Sequence, residues 1–217
     1  LASLLQVLGN RHRRDEQLET ARAMLEEALA IARALPADAP IWPPASQVTA
    51  SVLQTLGLVK LDQRDRSTFE TLKEALALRE AGVAEQPHDV MLRSELGAVL
   101  HTLAQMNVAQ AQDELALQRL DRAITEQRRV VAAMPTFVQG HDYLRNHLTL
   151  RGTQLARLGR ADDLQANAEE LAAMRTDPSA LRSAARHFLR LATLRETSPP
   201  ATGTPLDAET CRARALQ

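Results

Sequence analysis

Four small residues set the frame of this chain. Gly9, Gly57, Ala104 and Gly152 recur at steps of 48, 47 and 48 residues. Leucines accompany them at helical spacing: Leu5-x2-Leu8-Gly9, Leu53-x2-Leu56-Gly57, Leu100-x2-Leu103-Ala104, and Leu148 before Gly152. A second marker follows each, as Ala21-x3-Leu25-x2-Ala28, Thr68-x3-Leu72-x2-Ala75, Ala116-x3-Leu120-x2-Ala123 and Leu164-x3-Ala168-x2-Leu171. Its last position steps by 47, 48 and 48 residues. Intervals of three and four put each set on one helical face. The small residues fall where two helices must cross at about 8–10 Å. Two independent markers on one period are the mark of a helical repeat array.

The predicted fold class is therefore all-α, an α-solenoid of about five antiparallel helix pairs with long second helices. Composition agrees: Ala, Leu and Arg favour helix, and aromatics are only 2% of the 217 residues. The pairs are expected at about 1–36, 44–87, 88–135, 136–177 and 178–195. A linker over 196–204 and a capping helix over 205–217 complete the division. Pro36, Pro40, Pro43 and Pro44 stop the helices on either side of the first connection, with Trp42 either a hydrophobic plug beneath it or a contact for a partner. Leu158-Gly159-Arg160 reads as a turn. Asp177-Pro178 reads as an N-cap followed by proline at the first helical position, and Thr204-Pro205-x-Asp207 as a cap for the last helix. The last pair is compressed, with Ala184-Ala185 only about 33 residues after Gly152.

Several function classes fall away. A net charge of −1 offers no field to nucleic acid or anionic membrane. No apolar run approaches the roughly 20 residues that span a bilayer, and Leu1 opens no signal peptide. The chain is expected to be cytoplasmic and an excised fragment. Its basic residues are arginine except for Lys60 and Lys73. No phosphate loop or kinase catalytic signature is present. The six histidines show no metal-ligand spacing. His141-Asp142 is expected at a helix start, and Cys211 as a buried thiol with no base beside it. No catalytic residue, cofactor or metal is predicted, so the chain is expected not to be an enzyme.

Binding remains. Stacked helix pairs make a concave groove lined mainly by the first helices. In the assumed register that groove takes Gln6, Asn10, Gln54, His101, Gln105, Asn146, Thr149 and Thr153. These are amides, hydroxyls and an imidazole, able to bond the backbone of a peptide. The partner predicted is a protein or peptide, and self-association stays open.

The Leu-x2-Leu-Gly and Ala-x3-Leu-x2-Ala marks, with proline after the second helix, resemble the tetratricopeptide repeat (TPR) over about 1–195. The chain departs from that family in its longer second helices and in Leu or Ala at the family's aromatic places. The family's carboxylate clamp would need Lys-x3-Asn, Asn and Lys-x3-Arg. Here Gln6-x3-Asn10, Thr55 and Ala98-x3-Thr102 stand instead, so only Asn10 fits and recognition of an acidic C-terminus is not expected. Ala75-Leu-Ala-Leu-Arg-Glu80 with Pro87, Ala123-Ile-Thr-Glu-Gln-Arg-Arg129 with Pro135, and Leu155-Ala-Arg-Leu-Gly-Arg160 look like repeats carried C-terminal to the catalytic domain of bacterial serine/threonine kinases, notably of planctomycetes. That resemblance implies a regulatory or docking arm. The alternative is a self-association or ligand-sensing platform of another signalling or transcriptional regulator.

Overall fold

The computed structural model describes residues 1–36, 43–197 and 206–216. Among these it has ten helices and no strand. They are α1 (Ala2–Arg14), α2 (Leu18–Ala34), α3 (Ala45–Asp62), α4 (Thr68–Glu85), α5 (Val90–Ala109), α6 (Asp113–Ala133), α7 (Val138–Arg157), α8 (Ala161–Ala173), α9 (Pro178–Thr197) and α10 (Ala208–Ala215). Every helix expected from the period is present, with ends displaced by a turn or less. Trp42 and most of the 196–204 linker lie outside the described residues. The chain divides into two compact units, Leu1–Met106 and Asn107–Gln217.

Aspartates start three of the helices. Asp89 accepts from the amides of Met91 and Leu92 at 2.8 and 3.0 Å. Asp177 does the same for Ser179 and Ala180 at 2.8 and 3.1 Å, and Asp207 for Thr210 at 2.7 Å. Each satisfies amides that a helix start leaves without an intrahelical acceptor.

The turn inside each of the first four pairs is one device used four times. Glu16, Arg64, Ala111 and Gly159 hold φ of 60°, 57°, 57° and 69°. After each, the next amide reaches back five residues: Gln17 to the His12 carbonyl (2.9 Å), Asp65 to Lys60 (2.8 Å), Gln112 to Asn107 (2.8 Å) and Arg160 to Leu155 (2.9 Å). This is the Schellman ending of a helix. Only Gly159 fits the left-handed region without a Cβ penalty. In the other three places the turn holds the residue there at about 1–2 kcal/mol.

In the first unit, Ala21, Leu25 and Ala28 of α2 cluster with Val52, Leu56 and Val59 of α3. Leu72 and Ala75 of α4 cluster with Leu53 of α3 and Val99, Leu103 and Met106 of α5. Each second helix thus packs on the first helix of the pair that follows. The recurring glycines let each first helix approach the second helix of its own pair. A Cβ on Gly9 would lie 2.8 Å from Leu25 Cγ, and one on Gly57 would lie 2.4 Å from Leu72 Cδ2. Between the second helices of the unit, Arg33 grips both oxygens of Glu74 at 2.6 and 2.7 Å.

One charge is buried in this unit. Arg79 is 1% exposed. It donates to Gln47 Oε1 at 2.7 Å and Ser51 Oγ at 2.6 Å, and pairs with Glu95 at 2.6 Å. Burial pulls the guanidinium pKa below its ordinary value and pushes the Glu95 carboxyl up, because both charged forms lose water here.

The second unit has a single core. Leu117 and Ile124 of α6, Leu148 and Leu155 of α7, Leu164 and Leu171 of α8, Phe188 and Leu191 of α9, and Cys211 of α10 belong to it. Arg128 of α6 holds Glu170 of α8 at 2.9 and 2.5 Å. Gly152 faces His187 and Asn167 rather than a leucine, and an added Cβ would stand 2.3 Å from His187 Cε1. Asn167 donates to the Leu148 carbonyl at 3.0 Å.

Candidate binding groove

The first helices of successive pairs touch within each unit, α1 against α3 and α7 against α9. Gln6, Asn10 and Gln54 stand on α1 and α3, His101 and Gln105 on α5, and Asn146, Thr149 and Thr153 on α7.

In the first unit Gln6 is half-buried and donates to Thr55 Oγ1 at 2.9 Å. The Thr55 hydroxyl itself donates to the Ser51 carbonyl at 3.0 Å. Gln6 therefore ties α1 to α3. Asn10 and Gln54 are half-buried, and Gln105 is exposed. His101 is half-buried, and desolvation takes its pKa down to about 4, so the ring is neutral near pH 7.

In the second unit Asn146 is exposed and accepts from Arg145 at 3.3 Å. Thr149 and Thr153 are half-buried, and the Thr153 hydroxyl donates to the Thr149 carbonyl at 3.1 Å. Burial takes the nearby His187 down to about 4 as well, with Arg190 and Arg186 adding to the effect.

Thr153 also lines a cavity of about 530 Å³ between the end of α5, α7 and α9, with Val108, Gln154, Ala156, Arg157, Arg190, Thr193 and Leu194. Of the residues expected in the second unit's groove, Thr153 is the one that enters this cavity; Asn146 and Thr149 do not line it. The sequence reading missed Gln154. It is 2% exposed, and its Oε1 has no hydrogen-bond partner among the described residues. An amide directly beside a predicted groove threonine was the available signal. Arg190 is exposed and sets a positive charge at the cavity's α9 wall.

Among the described residues no group of acidic, histidine or cysteine side chains is placed to hold a metal ion, and no helix is long and apolar enough to cross a membrane. Asp142 lies in the second turn of α7 and pairs with Arg145 at 2.7 Å, while His141 bonds the Pro135 carbonyl at 2.8 Å. Cys211 is buried, and desolvation raises its thiol pKa.

No family model matches the chain, and no curated protein matches it. Solved structures do. The nearly identical TPR-like repeats of a Podosopora anserina kinesin light chain candidate superpose with a TM-score of 0.63 at 16% identity, over 99% of this chain and 92% of that one. BtubC (BKLC) from P. vanneervenii superposes with a TM-score of 0.61 at 15% identity, over 100% of this chain and 78% of that one. The fold is TPR-like. The all-α solenoid class read from the 48-residue period holds, and the long second helices are variations on the TPR-like helix pair. At this identity the likeness concerns the fold.

Proposed function

We propose that this TPR-like chain is a non-catalytic protein-interaction module that takes a peptide segment on its first-helix side. The observation that carries this reading is Gln154, a buried acceptor without a partner on the wall of an open cavity. Leaving such a group unsatisfied costs about 1–3 kcal/mol; the oxygen is covered in the free chain, and turning the amide out to a peptide N–H in the cavity removes that cost. The other walls define the rest of the segment. Val108, Ala156 and Leu194 accept a small apolar side chain, and Arg190 favours a carboxylate beside it. Thr153 helps to shape the entrance. In the first unit, Asn10, Gln54 and Gln105 offer further polar contacts.

The test uses peptides selected from a random display library on the full chain, with affinity read by fluorescence polarisation. Gln154→Leu and Arg190→Glu should each weaken the selected peptides about tenfold or more, the scale of one charge-assisted or buried hydrogen bond. Neither should lower the melting temperature, since Gln154→Leu removes an unsatisfied group. Affinities unchanged in both variants would refute the groove.

Within this reading, the three short segments that look like kinase-associated repeats support a docking or regulatory arm of a bacterial serine/threonine kinase. The coding DNA upstream of Leu1 tests it. A domain with a Gly-rich loop, a strand lysine and catalytic aspartates would support the arm; a start codon close by, or a different domain, would refute it.

A further inference from the structure

Leu1, the N-cap of α1, and Leu4 and Val7 within it are exposed, at 78%, 58% and 61%. The repeat register shows what such positions do elsewhere. Forty-eight residues on they are Thr49, Val52 and Thr55 of α3, at 8%, 0% and 6%. There Val52 packs, with Leu56 and Val59, on the second helix of the preceding pair. α5 repeats the arrangement with Val99, Leu103 and Met106 on α4. The same three places on α1 are Leu4, Leu8 and Arg11.

A charge in the same register agrees. Glu74 and Glu170 stand two residues after the buried Leu72 and Ala168, and each is gripped by an arginine of an earlier second helix. Those arginines, Arg33 and Arg128, stand eight residues after Leu25 and Leu120. Glu27 occupies the acceptor place on α2, two residues after Leu25. It is exposed and has no ion-pair partner among the described residues. The apolar half and the charged half of one stacking interface are thus both present and open.

We infer that the outer face of α1, with Glu27 at its edge, is a docking surface for one further helix pair of the same repeat kind. The second helix of that pair presents alanine or leucine to Leu4 and Leu8, as α2 does to Val52 and Leu56. It carries an arginine two turns further on for Glu27.

The test fuses a duplicate of residues 1–48 ahead of Leu1 in the full chain, which keeps the 48-residue period and sets a copy of Arg33 before Glu27 at the same separation as Arg128 from Glu170. If the face docks a pair, the helical circular-dichroism signal grows in proportion and the melting temperature rises by about 5 °C or more, the scale of one or two kcal/mol in a chain of this size. Leu4→Glu should cancel the rise, and Glu27→Ala should lower melting in the fused chain but not in the unfused one. Replacing the glutamate-facing copy of Arg33 by alanine should reproduce the Glu27→Ala effect. No growth in helical signal, no rise, or equal effects of these substitutions in both chains would overturn the inference. Sedimentation of the unfused chain supplies the second measurement. A monomer supports a distinct helix pair as the occupant. A dimer dissolved by Leu4→Glu would give the face to a second copy and overturn the assignment.

Discussion

Alanine at position 57 should destabilise the protein, against the ordinary rule. Gly57 lies inside α3, where exchanging glycine for alanine normally gains about 1 kcal/mol. Here the new Cβ would stand 2.4 Å from Leu72 Cδ2 and 2.7 Å from Leu72 Cγ. Leu72 is fully buried and shares its cluster with Ala75, Val99 and Leu103, so it has no free direction in which to move. Overpacking of this kind costs about 1–3 kcal/mol. The net loss should be about 1 kcal/mol, or roughly 2–4 °C in melting temperature. The decisive measurement is a double-mutant cycle by urea denaturation followed by circular dichroism. Leu72→Ala alone should cost about 2–5 kcal/mol. In that background Gly57→Ala should change sign and stabilise by about 1 kcal/mol, because the obstructing side chain is gone. If Gly57→Ala stabilises the unaltered protein, or if the two changes add, the close approach of α3 and α4 is not what holds glycine at this position.

Other perturbations follow from the same structure. Arg64→Gly and Ala111→Gly relieve left-handed backbone and should each raise stability by about 0.5–1 kcal/mol, read by urea midpoint; a loss would show that the turns are held otherwise. Arg79→Ala removes the partner of Gln47 and of the partly exposed Glu95 and should cost about 1–3 kcal/mol. The Arg79→Ala/Glu95→Ala pair should cost clearly less than the sum of the single changes in the same titration. His101 and His187 titrate near 4 in the folded chain and near 6.5 when unfolded. Between those values the unfolded state binds more protons, so stability is complete above about pH 6.5 and is lost as pH falls towards 4. His187→Gln should flatten that slope, and an unaltered pH profile of the urea midpoint would contradict the burial of this ring.

Most of the fold was legible because its information is periodic. Gly9, Gly57, Ala104 and Gly152 record close helix crossings, and a crossing repeated at one interval can be counted without knowing the structure. Capping was legible for a local reason at Asp177-Pro178, which carries its own hydrogen-bond geometry; at the last helix Asp207 itself is the N-cap and the helix begins at Ala208, while Thr204 of the expected box lies outside the described residues. The buried polar groups were not. Arg79 sits between Leu78 and Glu80 in a helix with charge on most turns, where an arginine reads as solvated. Its burial depends on Gln47, Ser51 and Glu95, which lie 32, 28 and 16 positions away. Arg64 and Ala111 were hidden for the opposite reason, as neither residue type signals a left-handed turn, whereas Gly159 does. Gln154 shows the limit of a register. A rotation of one position along α7 separates the cavity wall from the core side.

The uniform turn has a consequence for how such a chain changes length. Glu16, Arg64, Ala111 and Gly159 close the two helices of a pair by hydrogen bonds counted residue by residue. An inserted residue there would rotate the second helix by about 100° and turn its buried stripe outward. Three of the connections between pairs are counted as strictly: four residues separate Glu85 from Val90, Ala133 from Val138 and Ala173 from Pro178, and in each an amide reaches back three residues, Asp89 to Gln86, Phe137 to Met134 and Asp177 to Met174. The connection from Ala34 to Ala45 departs from that count, with ten residues between them. Insertions, labels or whole grafted domains belong in the connection between Ala34 and Ala45, whose length already departs from the others, where they lengthen the chain without shifting which side chains meet.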